Sequence, residues 1–134
     1  MERTLVLLKP DAVQRGLVGE IVARFERKGL RLAGMKLRRF DEGLLRRHYA
    51  AHAGKPFFDG LVRFMGSGPV VAIALEGKNA IAVTRNLMGK TNCAEAAPGT
   101  IRGDLGILFT ENLVHGSDGP ESAVRELGIF FPDL

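Results

Sequence analysis

Thr4-Leu5-Val6-Leu7-Leu8-Lys9-Pro10-Asp11 is the stretch on which the fold turns. Its compact apolar run, closed by a polar residue, describes a buried strand that Pro10-Asp11 breaks. A helical period follows at once through Leu17, Val18, Ile21, Val22 and Phe25, and Lys28-Gly29 closes that helix. From Leu30 to Phe40 apolar and basic residues alternate in part, the pattern of a half-exposed strand.

Working outward, Asp41 is placed to cap a helix carrying Leu44, Leu45, His48 and Tyr49. Pro56-Phe57-Phe58 restarts the chain, and Leu61, Val62, Phe64 and Met65 continue helically to Gly66. Pro69 to Leu75 is a second buried strand, and Asn79 is placed to cap a helix from Ala80 to Met88 that Gly89 ends. Lys90 to Gly103 has no periodicity and reads as a long functional loop. Leu105 to Val114 reads as a last strand with a break, and Asp118 with Glu121 matches a capping box before a helix from Ser122 to Phe131. Strands and helices alternate, yet the strands are too few for a doubly wound sheet. The expected fold is therefore α/β (α+β): one ferredoxin-like, split β-α-β domain over residues 1–134. It has a four-stranded antiparallel sheet with helices packed on one face.

Composition narrows the class. The 134 residues are 46% hydrophobic and 25% charged, as in ordinary globular proteins, so disordered and fibrous classes are out. No apolar run is long enough to span a bilayer, and Met1-Glu2-Arg3-Thr4 lacks the shape of a signal peptide. A single cysteine, Cys93, allows no internal disulfide and fits a reducing compartment, so the expected location is the cytoplasm. The net charge of +4 suits an anionic partner, but its basic residues lack the aromatic interleaving of a nucleic-acid platform.

The chemistry gathers around Glu111-Asn112-Leu113-Val114-His115-Gly116-Ser117-Asp118. A neutral imidazole can carry a phosphoryl group between two substrates. His115 stands where a strand-like run ends, before a glycine expected to leave room for an anion and a helix whose first amides point back. Cations must supply the rest: at an effective dielectric of about 20, a guanidinium about 4 Å from a phosphate charge contributes roughly 4 kcal/mol. Lys9, Arg85 and Arg102 are the candidates. Gly89-Lys90-Thr91 only looks like the end of a P-loop, since it follows a helix. His48 and His52 have a zinc-like i, i+4 spacing, but a solvated helix face is the better reading. Cys93 reads as an incidental loop residue.

Over nearly its whole length the chain resembles the nucleoside diphosphate kinases. The resemblance is carried by Glu2-Arg3-Thr4, Lys9-Pro10-Asp11, Arg15 to Ile21, His48-Tyr49, Lys55 to Phe58, Ser67 to Ala72, Met88-Gly89 with Thr91-Asn92, Pro98 to Asp104, and the Asn-x-x-His-Gly-Ser-Asp element at Asn112 to Asp118. It implies transfer of the γ-phosphate of a nucleoside triphosphate to a nucleoside diphosphate by a ping-pong route, with little choice of base. His115 would be the covalent carrier and Glu126 the acid that holds its ring. Lys9, with Tyr49 beside it, would meet the transferred phosphate and the ribose hydroxyls. Arg85 and Thr91 would hold the β-phosphate, Arg102 the terminal phosphate, and Asn112 the ribose 3′-hydroxyl. Phe57 would stack on the base, which suits a site tolerant of any base.

The resemblance further implies Mg²⁺ bound mainly through the nucleotide phosphates, with no metal site of the protein's own. It also implies a homo-oligomer, hexamer ahead of tetramer. Ala12 stands where a glycine is common, which leads us to expect a small backbone shift near Lys9, and Cys93 stands where a proline is common. The rival readings are a nucleic-acid-binding module of the same fold and an inactive structural member of the family. Against the first, the strand from Pro69 to Leu75 has no aromatic residue.

Overall fold

A computed structural model describes residues Met1–Leu134. The elements are β1 (Glu2–Leu8), α1 (Pro10–Gln14), α2 (Val18–Lys28), β2 (Arg31–Arg38), α3 (Glu42–His48), α4 (Phe58–Met65), β3 (Val70–Gly77), α5 (Ala80–Met88), α6 (Ile101–Leu105), β4 (Val114–Gly116) and α7 (Pro120–Phe130). The four strands lie in the order β2-β3-β1-β4, all neighbours antiparallel, which is the ferredoxin-like arrangement expected.

Helices cover both faces of the sheet, not one. On one side Val6, Leu8, Ile73 and Leu75 pack against Ile21, Phe25, Met88 and Ile101 from α2, α5 and α6. On the other Leu5, Leu7, Ala72 and Ala74 pack against Leu45, Met65 and Phe130 from α3, α4 and α7. The unbroken apolar runs of β1 and β3 carry the reason: a strand with one wet face would alternate, and these do not.

Local signals behave unevenly. Asp41 caps α3 as expected, accepting from the Leu44 amide at 2.7 Å, and Gly29 ends α2 with φ +105°. Asn79 precedes α5 with φ +54° and makes no side-chain cap, and α7 starts after Gly119 without a capping box. Asp118 instead accepts from the Ser122 hydroxyl. Ala12 lies inside α1 with its methyl in the core, so the expected backbone shift near Lys9 is not needed. The last strand is not Leu105 to Val114 but Val114–Gly116: residues 101–105 form a helix capped by Thr100, residues 106–113 are neither helix nor strand, and only Val114–Gly116 pairs with β1.

Candidate functional site

β4 is an edge strand, and His115 occupies its middle, opposite Leu7. The imidazole lies on the side of α3 and α7, and the side chain is 25% exposed. Its Nε2 is 3.1 Å from Glu126 Oε2, while Glu126 Oε1 accepts from Ser117 Oγ at 2.6 Å. Burial alone would raise the Glu126 carboxyl, but the His115 and Ser117 hydrogen bonds and the neighbouring His115 charge outweigh it and hold it below the usual range. An ionised carboxylate only accepts, so Nε2 carries a ring proton, and in the neutral ring Nδ1 keeps its lone pair. That is the tautomer a nucleophilic histidine needs.

His48 packs edge-on against this ring, with centroids 4.9 Å apart. Burial, and then the adjacent His115, push the His48 imidazole down to about 3, so it stays neutral. Both of its ring nitrogens are buried without a hydrogen-bond partner, and Nδ1 stops 3.9 Å from Glu126 Oε2.

The register leaves the carbonyls of Val114 and Gly116, on either side of His115, pointing off the free edge of the sheet. Arginines take both: Arg102 donates to Val114 O at 2.7 Å and Arg85 to Gly116 O at 3.1 Å. Arg102 also donates to Asn112 O at 3.2 Å and Gly89 O at 2.9 Å. A guanidinium has five N–H groups, so two remain for an anion. Burial, and then the nearby charge of Arg85, lower Arg102 to about 10, still fully cationic at neutral pH.

Lys9 is buried at the end of β1 and donates to Asn112 Oδ1 at 2.8 Å. The Asn112 amide donates in turn to Thr91 O at 3.2 Å, joining the long loop to this cluster. Lys9, Asn112, Arg102, Arg85, His115 and Glu126 are thus brought together, with Thr91 tied in through its backbone. Tyr49 is buried beside His48, ring centroids 4.4 Å apart, and burial pushes its phenol up. Phe57 lies further out, 52% exposed, with the His52 ring 5.2 Å away, as a surface for stacking requires.

The donor set does not make a cage for Mg²⁺, which prefers oxygens. The carboxylate of Glu126 is engaged by His115 and Ser117, and the other two ligands in reach are ring nitrogens of His48 and His115. A hard divalent ion would have to arrive on its own oxygen ligands, as a nucleotide phosphate chain supplies them.

Several expectations need correction. His48 is no solvated helix face, and it pairs with His115 rather than with His52. The i, i+3 step from buried Leu45 would have placed it on the apolar side of α3. Cys93 is buried, its sulfur filling the space above Gly106. Gly116 serves packing, since a Cβ there would come within 2.6 Å of Met88 Sδ on α5. Ser117, which the motif contains but to which no role was given, completes the Glu126 hydrogen bonding.

A ferredoxin-like sheet whose edge strand presents an oriented imidazole among fixed cations places the chain among phosphotransferases. Its relatives give that class a family. The family described as nucleoside diphosphate kinase matches residues 2–134, and the chain belongs to it. It is 56% identical to the nucleoside diphosphate kinase of Thermomicrobium roseum over 131 residues, 98% of this chain and 88% of that one. It is 59% identical to that of Nocardia farcinica over 134 residues, 99% of this chain and 96% of the other. Among solved structures, a halophilic nucleoside diphosphate kinase from Halobacterium salinarum in complex with CDP superposes with a TM-score of 0.96 at 54% identity. That match covers 98% of this chain and 88% of that one.

Proposed function

We propose that residues 1–134 act as one nucleoside diphosphate kinase domain and that His115 is its phosphoryl carrier. The observation that carries this is the hydrogen bond from Nε2 to Glu126, which leaves Nδ1 as the free nucleophile. In the first half-reaction the Nδ1 lone pair forms a bond to the γ-phosphorus of a nucleoside triphosphate. The bond from that phosphorus to the β-bridging oxygen breaks, and the diphosphate leaves with the electron pair. The ring becomes cationic, and Glu126, anchored by Ser117, stabilises it. The acceptor diphosphate then reverses each step. Charge neutralisation dominates in such transfers, and Lys9, Arg85 and Arg102 supply it around the phosphates. Asn112 with Lys9 would take the ribose hydroxyls, Tyr49 would back Lys9, Thr91 would assist at the β-phosphate, and Phe57 would stack on any base.

The CDP held by the Halobacterium salinarum relative supports a nucleotide site. Mg²⁺ enters as part of the triphosphate substrate. Exposed Met35 and Leu37 on β2, and Ile107 and Leu108 before β4, provide apolar surface for a homo-oligomer, hexamer ahead of tetramer. No helix is long and apolar enough to cross a membrane, and the single cysteine is consistent with a cytoplasmic setting. A nucleic-acid module is disfavoured because helices cover both faces of the sheet that would present the bases.

The test is incubation with γ-labelled ATP and Mg²⁺, isolation of the protein, and a chase with unlabelled diphosphate. Wild type should take up acid-labile label and release it as triphosphate, and His115→Ala should take up none. Label on the alanine variant would overturn the assignment, and an unlabelled wild type would mark an inactive family member.

A further inference from the structure

Two residues other than glycine have positive φ, Asn79 and Leu113. Asparagine visits this region readily, whereas leucine does so only under constraint. Leu113 has φ +73° and is fully buried, and the Val114 amide donates across it to Asn112 O at 2.8 Å. An i to i+2 bond around a residue with this φ is the rare, strained form of γ-turn, which persists only where surroundings over-determine it.

Both backbone groups of Leu113 are held from the β1–α1 junction. Its carbonyl accepts from the Lys9 amide at 2.8 Å, and its amide donates to Asp11 Oδ2 at 3.0 Å. Asp11 is buried, and Oδ1 has no partner. Nor does the side chain serve its own short helix, whose N-cap residue is Lys9. A buried carboxylate therefore spends its one hydrogen bond on the amide of a strained residue 102 positions away. On one side of that turn Asn112 reaches the Lys9 ammonium, and on the other β4 begins, with His115 two residues on.

We propose that Asp11 is a positioning residue for phosphoryl transfer: its carboxylate holds the left-handed turn at Leu113, and the turn sets Asn112 and Lys9 against His115. The inference rests on the nucleotide site described above, in which Asn112 and Lys9 take the ribose end. Without the acceptor, Leu113 relaxes toward negative φ, and Asn112 swings relative to β4. The loss falls on the ribose hydroxyl contacts rather than on the imidazole, whose partner Glu126 sits on α7.

The experiment compares kcat/KM for a nucleoside triphosphate with that for its 3′-deoxy analogue in the full chain, alongside thermal unfolding. Asp11→Ala should collapse the ratio by about tenfold, the scale of one strained backbone conformation. Asp11→Asn, which keeps an acceptor oxygen of the same reach, should hold it within about twofold of wild type, the remainder being the altered strength of a hydrogen bond to a neutral group. If the alanine variant does not fold, Asp11→Leu replaces it, since an apolar side chain of similar shape is often tolerated where a buried charge stood. A folded variant without the acceptor that keeps the wild-type ratio overturns the proposal, as does a folded asparagine variant that loses it. A wild type indifferent to the 3′-hydroxyl removes the ribose reading itself, and this proposal with it.

Discussion

Lys9 is pulled in two directions at its buried position. Burial, and then the charge of Arg102, lower its ammonium from 10.5 to about 8, against the attraction of Asp11. In the free enzyme the cation that meets phosphate is therefore lost as pH rises through about 8. We predict that kcat/KM falls above that pH while kcat at saturating nucleotide holds to higher pH, because bound phosphate favours the charged form. A kcat/KM profile flat to pH 10 would count against Lys9. The unfolded chain binds this proton more tightly, so the same group makes stability rise between about pH 8 and 10.5. At this scale the grouping was legible: His115, Lys9, Arg85 and Arg102, each ordinary on its own, were read together, and the fold brings them together. His48 was not, because neutrality at a buried position is imposed by neighbours from α7 and β4, not by its own helix.

β4 with α6 shows how an element can be set by contacts rather than by propensity. The apolar letters from Leu105 to Val114 suit a strand, yet the arginine at Arg102 and the turn at Leu113 decide otherwise. Arg102 closes the outer edge of β4 at the Val114 carbonyl, with a hydrogen bond that a neighbouring strand would otherwise make. Its loss should thus weaken the fold as well as the reaction. For Arg102→Ala we expect kcat lower by roughly 10²–10³, as when one preorganised stabilising group is removed. We also expect destabilisation of about 1–3 kcal/mol for each buried carbonyl left bare. Arg102→Lys restores the charge but not the fork, so it should regain activity more than stability. Urea unfolding beside steady-state kinetics checks both, and an alanine variant as stable as wild type would refute the edge-closing role.

Across the whole molecule, one row of side chains ties three strands. Arg3, Glu76 and Arg31 are directly opposite one another on β1, β3 and β2, and Glu76 pairs with Arg3 at 2.8 Å and Arg31 at 2.5 Å. Hydrogen bonds from Arg31, then Arg3, hold the Glu76 carboxyl down to about 2. A depressed carboxyl stabilises the fold above its unfolded value and loses that contribution as pH falls toward the folded one. Glu76→Gln should therefore be less stable than wild type at pH 7, with the gap closing as pH drops from about 5 to 2. Denaturant midpoints at several pH values measure it, and a gap independent of pH would exclude the ion pairs as its source.

The alternation of strands and helices, the ferredoxin-like class and the candidates His115, Lys9, Arg85 and Arg102 were legible in the residues themselves, because periodicity and side-chain chemistry are local properties. Glu126, Asn112, Tyr49, Thr91 and Phe57 came only with the family resemblance. The unbroken apolar runs of β1 and β3 contradict the expectation of helices on one face only, but a single strand does not say which helices cover it. Only the tertiary structure decided that β4 would be short, that His48 would lie dry against His115, and that Asp11 would hold a turn far along the chain. Those outcomes depend on groups distant in sequence meeting in space, where the cost of a bare polar atom or a strained φ is met by a partner no local pattern names.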